Sequence, residues 1–193
     1  MRYGGKQSGG GGSFEQPPLG SMSAVLAAIY DVGFQADFDK TKPPKHKLAL
    51  VWELSARTSK GVPFVIIEKV NVSSNEKSVL ADRFASLNGR PPTEQECMEG
   101  FDDSMMVGKT CIVKVMRNAT NPNGKAYIKS TSDLISGMPN LRVEGDYRTP
   151  PKLVEWLMEH QVPPPAKTTT PPSREPGDDT DEIAAEKSGG SPF

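Results

Sequence analysis

The sequence predicts a mainly β domain built as one small barrel. Residues 47–54 alternate cleanly from one side to the other, which is the period of a strand with one buried face. Two later apolar segments are joined by Asn-Pro-Asn-Gly at 121–124, a composition typical of a hairpin turn. Residues 74–89 instead space their apolar side chains as a helix does. Together these patterns favour antiparallel strands with an inserted helix.

Five segments have the composition of strands. Residues 23–38 are rich in Ala, Val, Ile and Tyr, and Gly33 would permit the bend or bulge of a strongly curved strand. Residues 45–56 predict a half-buried strand, with one face formed by Leu48, Leu50, Trp52 and Leu54. Residues 62–73 place Phe64, Ile66, Val70 and Val72 on a common face and follow a short polar turn, so these two strands predict a hairpin. Residues 109–120 and 125–135 predict a second hairpin.

Three segments predict helices. In residues 74–89, Ser74 or Asn75 could cap the helix and Gly89 would end it. Residues 91–103 predict a short helical turn that begins at prolines, with a solvated acidic face of Glu94, Glu96, Glu99, Asp102 and Asp103. Residues 150–160 also begin at prolines, and their predicted apolar face consists of Leu153, Trp156 and Leu157.

The order of these elements predicts a particular barrel. Five strands with a helix between the third and the fourth, followed by a C-terminal helix, are the arrangement of a five-stranded OB-fold barrel. In that fold the first and last interstrand loops edge a groove that binds oligonucleotides. We therefore expect residues 21–161 to form an OB-fold domain with a groove between these two loops.

The two ends of the chain have a different composition. Residues 1–20 contain seven glycines and predict a disordered arm, because ordering them would bury almost no apolar surface. Residues 162–193 begin as a Pro/Thr-rich linker and end in an acidic tail, which we also expect to be disordered. The 193-residue chain has a net charge of −1, yet residues 21–150 carry +2 and residues 151–193 carry −4. A basic body with an acidic tail favours an anionic partner for the body.

The composition also argues against several classes of protein. No apolar run is long enough to span a membrane and no secretory signal is evident, so the sequence predicts a cytoplasmic protein. Two cysteines and two histidines offer few places for a disulfide scaffold, a metal site or imidazole chemistry, so we expect no cofactor. Residues 103–110 resemble the end of a P-loop, but Asp103 replaces its first glycine and a strand follows. Asp102 and Asp103 could be nuclease metal ligands, although no partner carboxylate is evident.

Two groups of basic residues fall in the loops that would edge the groove. The first loop contributes lysines close to Phe34 and Phe38: Lys40, Lys42, Lys45 and Lys47. The last hairpin contributes four bases and no acid between residues 111 and 131: Lys114, Arg117, Lys125 and Lys129. Alternation turns Tyr127 to the same side as Lys125 and Lys129. Cations neutralise phosphates and flat rings stack on bases, so these residues and Phe38 predict a site for single-stranded nucleic acid.

Several stretches of the chain resemble a known family. They are PPLGSMSAVLAAIYDVGFQ, HKLALVWEL, NEKSVLADRFASLNGRPPTEQE, GFDDSMMVGKTCIVKV and GKAYIKSTSDLISGMP, within residues 17–139. They resemble a family of OB-fold single-stranded DNA-binding proteins from bacteriophage replication modules. The resemblance implies a non-enzymatic protein of the host cell cytoplasm that coats single strands during replication or recombination, with little sequence preference.

The C-terminus resembles the tail of bacterial and phage single-stranded DNA-binding proteins. An acidic segment precedes a terminal Pro-Phe, and the residues concerned are Asp178, Asp179, Asp181, Glu182, Pro192 and Phe193. The resemblance implies that this tail recruits replication or recombination proteins, with Phe193 filling an apolar pocket of the partner. The residues KSGGS separate the acids from Pro192, which departs from the tight junction of the bacterial tip.

Two other functions remain open at the level of sequence. The barrel could be a protein interaction module whose lysine-rich loops bind no nucleic acid, or an enzyme such as a metal-dependent nuclease. The sequence also leaves open whether the protein is a homo-oligomer and whether it prefers DNA or RNA. Trp156 could either cap the barrel or join two subunits, while Trp52, Tyr30 and Phe64 are predicted to belong to the core.

Overall fold

The structure, a computed structural model, describes residues 15–37, 39–73, 75–100, 102–118 and 125–165. Five strands form one antiparallel sheet: β1 (Gly20–Gln35), β2 (Lys45–Arg57), β3 (Pro63–Asn71), β4 (Thr110–Met116) and β5 (Tyr127–Ser132). The helices are α1 (Val79–Asn88), α2 (Glu94–Glu99) and α3 (Lys152–Glu159), and a 3-10 turn covers Asp103–Met105. The prediction of a mainly β fold with five strands is therefore confirmed. None of the helices in these ranges is long and apolar enough to cross a membrane.

The strands are arranged in the order β3-β2-β1-β4-β5. The predicted hairpins β2–β3 and β4–β5 both form, and each pairs antiparallel. β1 is central, because it pairs with β4 through residues 20–25 and with β2 through residues 24–35. The sheet is open, since no hydrogen-bonded ladder joins β3 to β5 within the described ranges. The two edge strands nevertheless approach each other, and residues 66–69 line one cavity together with Tyr127 and Ile128.

The long central strand β1 bends at two irregularities. Its register with β2 shifts between Leu26 and Ala28 and again between Asp31 and Phe34. Gly33 lies at the second shift with φ of 64°, a conformation that glycine adopts without strain. A Cβ at Gly33 would also overlap the side chain of Gln161. The bend predicted at Gly33 is thus confirmed, and the positive φ is the reason that glycine is favoured there, because the exposed Gln161 side chain could move aside.

The main core lies on the inner face of the curved sheet. Leu50 and Trp52 of β2 are fully buried, and they pack in one cluster with Val113 of β4 and Phe84 of α1. α1 begins later than either predicted cap, because the hydroxyl of Ser78 accepts the N–H of Ala81. Asn75 instead belongs to the preceding turn, where its carbonyl accepts the N–H of Ser78. The helix ends at Gly89 as predicted, with φ of 66°.

A buried polar network lies near the gap between β3 and β5. Nη2 of Arg83 on α1 donates to Oε1 of Glu68 on β3 at 2.7 Å, and only 4% and 12% of these side chains are exposed. Nε1 of Trp52 donates to the other oxygen of Glu68 at 3.2 Å. On the side of β5, the Thr131 hydroxyl donates to Ser86 of α1 at 2.8 Å. Side chains of α1 therefore connect the two edge strands that no ladder joins.

The outer face of β2 is also buried, so the prediction of a half-buried strand is wrong. Residues 141–162, called here the C-terminal cover, lie across it. Glu53 is 2% exposed, and its carboxylate accepts the N–H of Glu144 at 2.8 Å, the N–H of Gly145 at 2.7 Å and the hydroxyl of Tyr147 at 2.8 Å. Burial and the hydrogen bond to this carboxylate raise the pKa of Tyr147 above its ordinary value. The C-terminal cover thus provides hydrogen-bond donors for the carboxylate of Glu53, which alternation alone would have placed in water.

The helix of this cover presents a different face to the sheet than the sequence predicted. Val154 and Leu157 of α3 are buried in a small outer cluster with Val32 of β1 and Ala49 of β2. The predicted apolar face is therefore wrong for Leu153 and Trp156, which are 39% and 51% exposed. The helix contains apolar residues on more than one side, and contact with β1 and β2 selects the side of Val154 and Leu157.

Candidate nucleic-acid interface

The first predicted group of lysines lies in the loop between β1 and β2 and at the start of β2. Lys40 and Lys42 are exposed, and Nζ of Lys42 lies 3.7 Å from a carboxylate oxygen of Asp39. Nζ of Lys45 lies 3.3 Å from Asp37. Surface ion pairs of this kind are weak because water and salt screen them, so a phosphate could displace either aspartate. Phe38, predicted as a stacking residue of this loop, lies outside the described residues.

Lys45 and Lys47 lie on the outer face of the sheet. Alternation along β2 puts both on the side of Ala49, which the C-terminal cover contacts. In the register of the sheet, Lys45 pairs with Gln35 and Lys47 pairs with Asn71 of β3. These two lysines therefore flank the covered surface at the end of the sheet where β2 begins.

Lys69 of β3 belongs to the same surface, although it was not among the residues predicted to bind nucleic acid. It is exposed and pairs with Ala49, so it lies diagonally across from Lys47 at a Cα distance of about 7–8 Å. The signal was present in the sequence. Burial of Phe64, Ile66 and Val70 on one side of β3 requires the odd-numbered residues to face outward.

The second predicted group meets β3 from the other side. Lys125, Tyr127 and Lys129 are exposed, whereas Ile128 is buried and Ala126 packs against the core. Tyr127 is 44% exposed and lines one cavity with Lys69. Lys69 therefore has Lys47 on one side and Tyr127 on the other, which brings part of the two predicted groups to one flank of the molecule.

The other residues of the second group lie further from β3. Lys114 is exposed on β4, opposite Ser21 of β1 and Ser130 of β5. Arg117 is partly buried just after β4, and residues 119–124 lie outside the described ranges. Lys129 stands at a register shift of the β4–β5 pair. We call the set that the structure brings together the basic face, and it consists of Lys45, Lys47, Lys69, Lys125 and Tyr127.

Helix α3 crosses the outer surface between the two ends of the basic face. At its start, Leu153 lines a cavity with Lys125 and with residues 64–67 of β3. At its other end, the carbonyl of Leu157 accepts from Nε2 of Gln35 at 2.8 Å, and the N–H of Val162 donates to the carbonyl of Phe34 at 2.8 Å. The surface between the predicted groove walls is therefore formed by α3 and not by bare strands.

The aromatic residues divide clearly by exposure. Trp52 and Phe64 are 0% and 8% exposed, so the prediction that they belong to the core is confirmed. Tyr30 is partly buried, and its hydroxyl donates to the carbonyl of Tyr147. Burial, followed by the nearby charge of Asp146, raises the pKa of Tyr30. Exposed aromatic surface on this part of the molecule comes from Tyr127 and Trp156.

A separate cavity of about 500 Å³ lies beside α2 and is acidic. Its carboxylates would repel a phosphate backbone, and they belong to Asp31, Glu96, Glu99 and Asp103. Burial and the neighbouring charge of Asp102 raise the pKa of Asp103, whereas the guanidinium of Arg90 lowers the pKa of Glu96 to about 2. Across the described ranges, no three His, Cys, Asp or Glu side chains cluster as metal ligands would. This cavity is therefore not part of the basic face.

No protein-family model and no curated protein sequence matches the chain. The residues predicted to bind a partner lie outside the described residues: Asp178, Asp179, Asp181, Glu182, Pro192 and Phe193. The geometry of the described residues is therefore the basis on which a function can be argued.

Proposed function

We propose that the protein binds single-stranded DNA through the basic face. The observation that carries the proposal is the position of Lys69, which pairs diagonally with Lys47 and shares a cavity with Tyr127. Lys69 therefore joins Lys47 and Tyr127 in one cationic surface, although those two residues lie eighty positions apart in the sequence. Ammonium groups there would neutralise successive phosphates and release counterions, while Tyr127 would stack on a base.

The wider context of the proposal is a protein of DNA replication or recombination. In this proposal the sheet forms an OB-fold barrel, with β3 and β5 next to each other at the point of closure. The cavity that these two strands line together and the network around Glu68 and Arg83 support this arrangement. The protein would work in the cytoplasm of a phage-infected host cell, as the resemblance of its sequence implies. It would coat strands without catalysis and recruit partner proteins through the acidic tail, residues 178–193.

The direct test is a titration with oligo(dT) and with duplex of the same length at several salt concentrations. We expect tight binding to the single strand, weak binding to the duplex, and a log affinity that falls linearly with log salt concentration. Equal affinity for the two ligands, or binding that salt does not weaken, would contradict the proposal.

Charge reversal locates the site. Lys69→Glu should lower the affinity for oligo(dT) about tenfold or more, because a carboxylate would replace a cation at the centre of the basic face. Lys109→Glu is the matched control, because Lys109 hydrogen-bonds to Asn88 at the end of α1, outside the basic face. If both variants bind alike, the basic face is not the site. If neither the wild type nor either variant binds DNA, a protein interaction module becomes the better description.

A further inference from the structure

We propose that Trp156 and His160 of α3 form a stacking platform for the bases of the bound strand. The inference depends on the proposed function and adds the residues that would contact the bases. Trp156 is 51% exposed, and its ring stacks on that of His160 with centroids 4.4 Å apart and planes 23° apart. Base stacking on aromatic side chains contributes about 1–3 kcal/mol per base and tolerates any sequence.

The platform is held in place before a ligand binds. Nδ1 of His160 lies 2.7 Å from the carbonyl oxygen of Trp156, and since a carbonyl oxygen only accepts, Nδ1 is the donor. The helix below is fixed to the sheet by Val154 and Leu157, which are 0% and 2% exposed. A ring that is already oriented loses little side-chain freedom on binding, so more of the stacking energy contributes to affinity.

The position of α3 supports a nucleic acid as the occupant. One end of the helix lies beside Lys125, and the other end contacts Gln35, which pairs with Lys45. The helix is about 12 Å long at about 1.5 Å per residue, so Trp156 lies between cationic groups a short distance apart. Single-stranded DNA that runs from Lys125 to Lys45 would pass over the exposed ring of Trp156.

The other aromatic residues leave few alternatives for stacking. Among the tyrosines, phenylalanines and tryptophans that the structure describes, Tyr127 and Trp156 are the most exposed, whereas Trp52 and Phe64 lie in the core. A strand that contacts both rings would have one stacking position on β5 and another on α3. Helix α3 therefore supplies an aromatic ring. The outer face of β2 supplies none, since its residues there are Ala49, Val51 and Glu53.

Two carboxylates on α3 indicate which side of the bound DNA would face the helix. Glu155 and Glu159 are exposed next to Trp156 and His160, and they would repel phosphates. The bases would therefore face the helix while the backbone follows the lysines at the edge. Glu155→Gln and Glu159→Gln should each strengthen binding slightly, because they remove this repulsion without changing the rings.

Tryptophan fluorescence tests the inference directly, because the chain contains only Trp52 and Trp156. Trp52 is fully buried, so quenching by oligo(dT) should come from Trp156. We expect Trp156→Phe to abolish the quenching while it retains most of the affinity, since phenylalanine also stacks. Trp156→Ala should lower affinity about 5- to 150-fold. Met158→Ala on the same helix, 38% exposed, is the matched control and should bind like the wild type.

The possible outcomes separate this inference from the proposed function. If the wild type fails to bind oligo(dT), the proposed function itself is wrong. If the wild type binds and Trp156→Ala binds equally well, the platform is wrong and the proposed function stands. If Trp156→Ala converts a dimer into a monomer, as mass measurement would reveal, and a wild-type monomer binds no better than the variant, Trp156 is an interface residue and the platform is also wrong.

Discussion

The two faces of strand β2 are both buried, but they are covered in different ways. The inner face packs Leu50 and Trp52 into the main core, against neighbouring strands and α1. The outer face packs Ala49 against two residues of α3 and places Glu53 under a loop of the C-terminal cover. The inner contacts are made with neighbouring strands and with α1, which lies between β3 and β4 in the chain, whereas the outer contacts depend on a segment that returns to the sheet after β5.

This difference suggests an experiment in which the cover is weakened separately from the sheet and its inner core. Among the residues that the structure describes, the outer cluster consists of four buried residues, whereas the inner cluster contains sixteen. Hydrophobic stabilisation scales with the apolar area removed from water, so the inner face accounts for most of the free energy of unfolding. The outer cover determines which side chains are exposed on this side of the sheet, because α3 carries Trp156 there.

The largest expected effect comes from a pair of matched leucine substitutions. Leu50→Ala should lower the free energy of unfolding by about 3–5 kcal/mol, because it leaves a cavity in the dense inner core. Leu157→Ala should cost only about 2 kcal/mol, because the outer cluster is small and its helix can shift. Urea unfolding followed by far-ultraviolet circular dichroism measures both. Equal costs would show that the cover and the inner core unfold as one equally packed unit.

Two matched carboxylate substitutions should give the next largest effect on the free energy of unfolding. Glu68→Gln should cost about 3 kcal/mol, since it removes the buried one of the two carboxylates that pair with the Arg83 guanidinium and leaves only the exposed carboxylate of Asp82. Glu53→Gln should cost about 1–2 kcal/mol, because the amide oxygen still accepts hydrogen bonds on the outer face.

Hydrogen exchange sharpens this second comparison. Glu53→Gln should accelerate exchange of the amides of Glu144 and Gly145 while the amides of β2 stay protected. Glu144→Gln is the control for a surface pair, since its carboxylate binds the half-exposed Arg57, and it should change the stability less than Glu53→Gln does. Faster exchange throughout β2 in Glu53→Gln would contradict a separately released cover.

The smallest effect is a pH dependence of the cover. The pKa of Tyr147 is raised by burial and by its hydrogen bond to Glu53, so the folded protein holds a proton that the unfolded chain loses above about pH 10. The contribution of Tyr147 is therefore complete below about pH 10 and decreases as the pH rises further. The difference in stability between the wild type and Tyr147→Phe, measured from pH 8 to about 11, should shrink with rising pH. A constant difference would contradict the assignment.

Local patterns predicted the elements of this chain well. Alternation located β2 and its inner residues, and Gly33 marked the bend of β1, because strand period and glycine conformation are properties of neighbouring residues. Gly89 ended α1 for the same reason. Alternation could also have revealed Lys69, since its neighbours on β3 have to face the core. Lys69 was absent from the binding prediction because it lies on β3, away from the first loop and the last hairpin that edge the groove of an OB fold.

The sequence by itself determined the strands, their inner faces, the first helix and the placement of lysines near the ends of β2 and β5. Only the tertiary structure decided that the outer face of β2 is covered, that Val154 and Leu157 turn inward, and that Trp156 remains exposed on α3. The physical reason is distance along the chain. Glu53 meets Glu144 and Gly145 about ninety residues later, and no local period encodes which of several apolar sides a helix will bury against a remote strand.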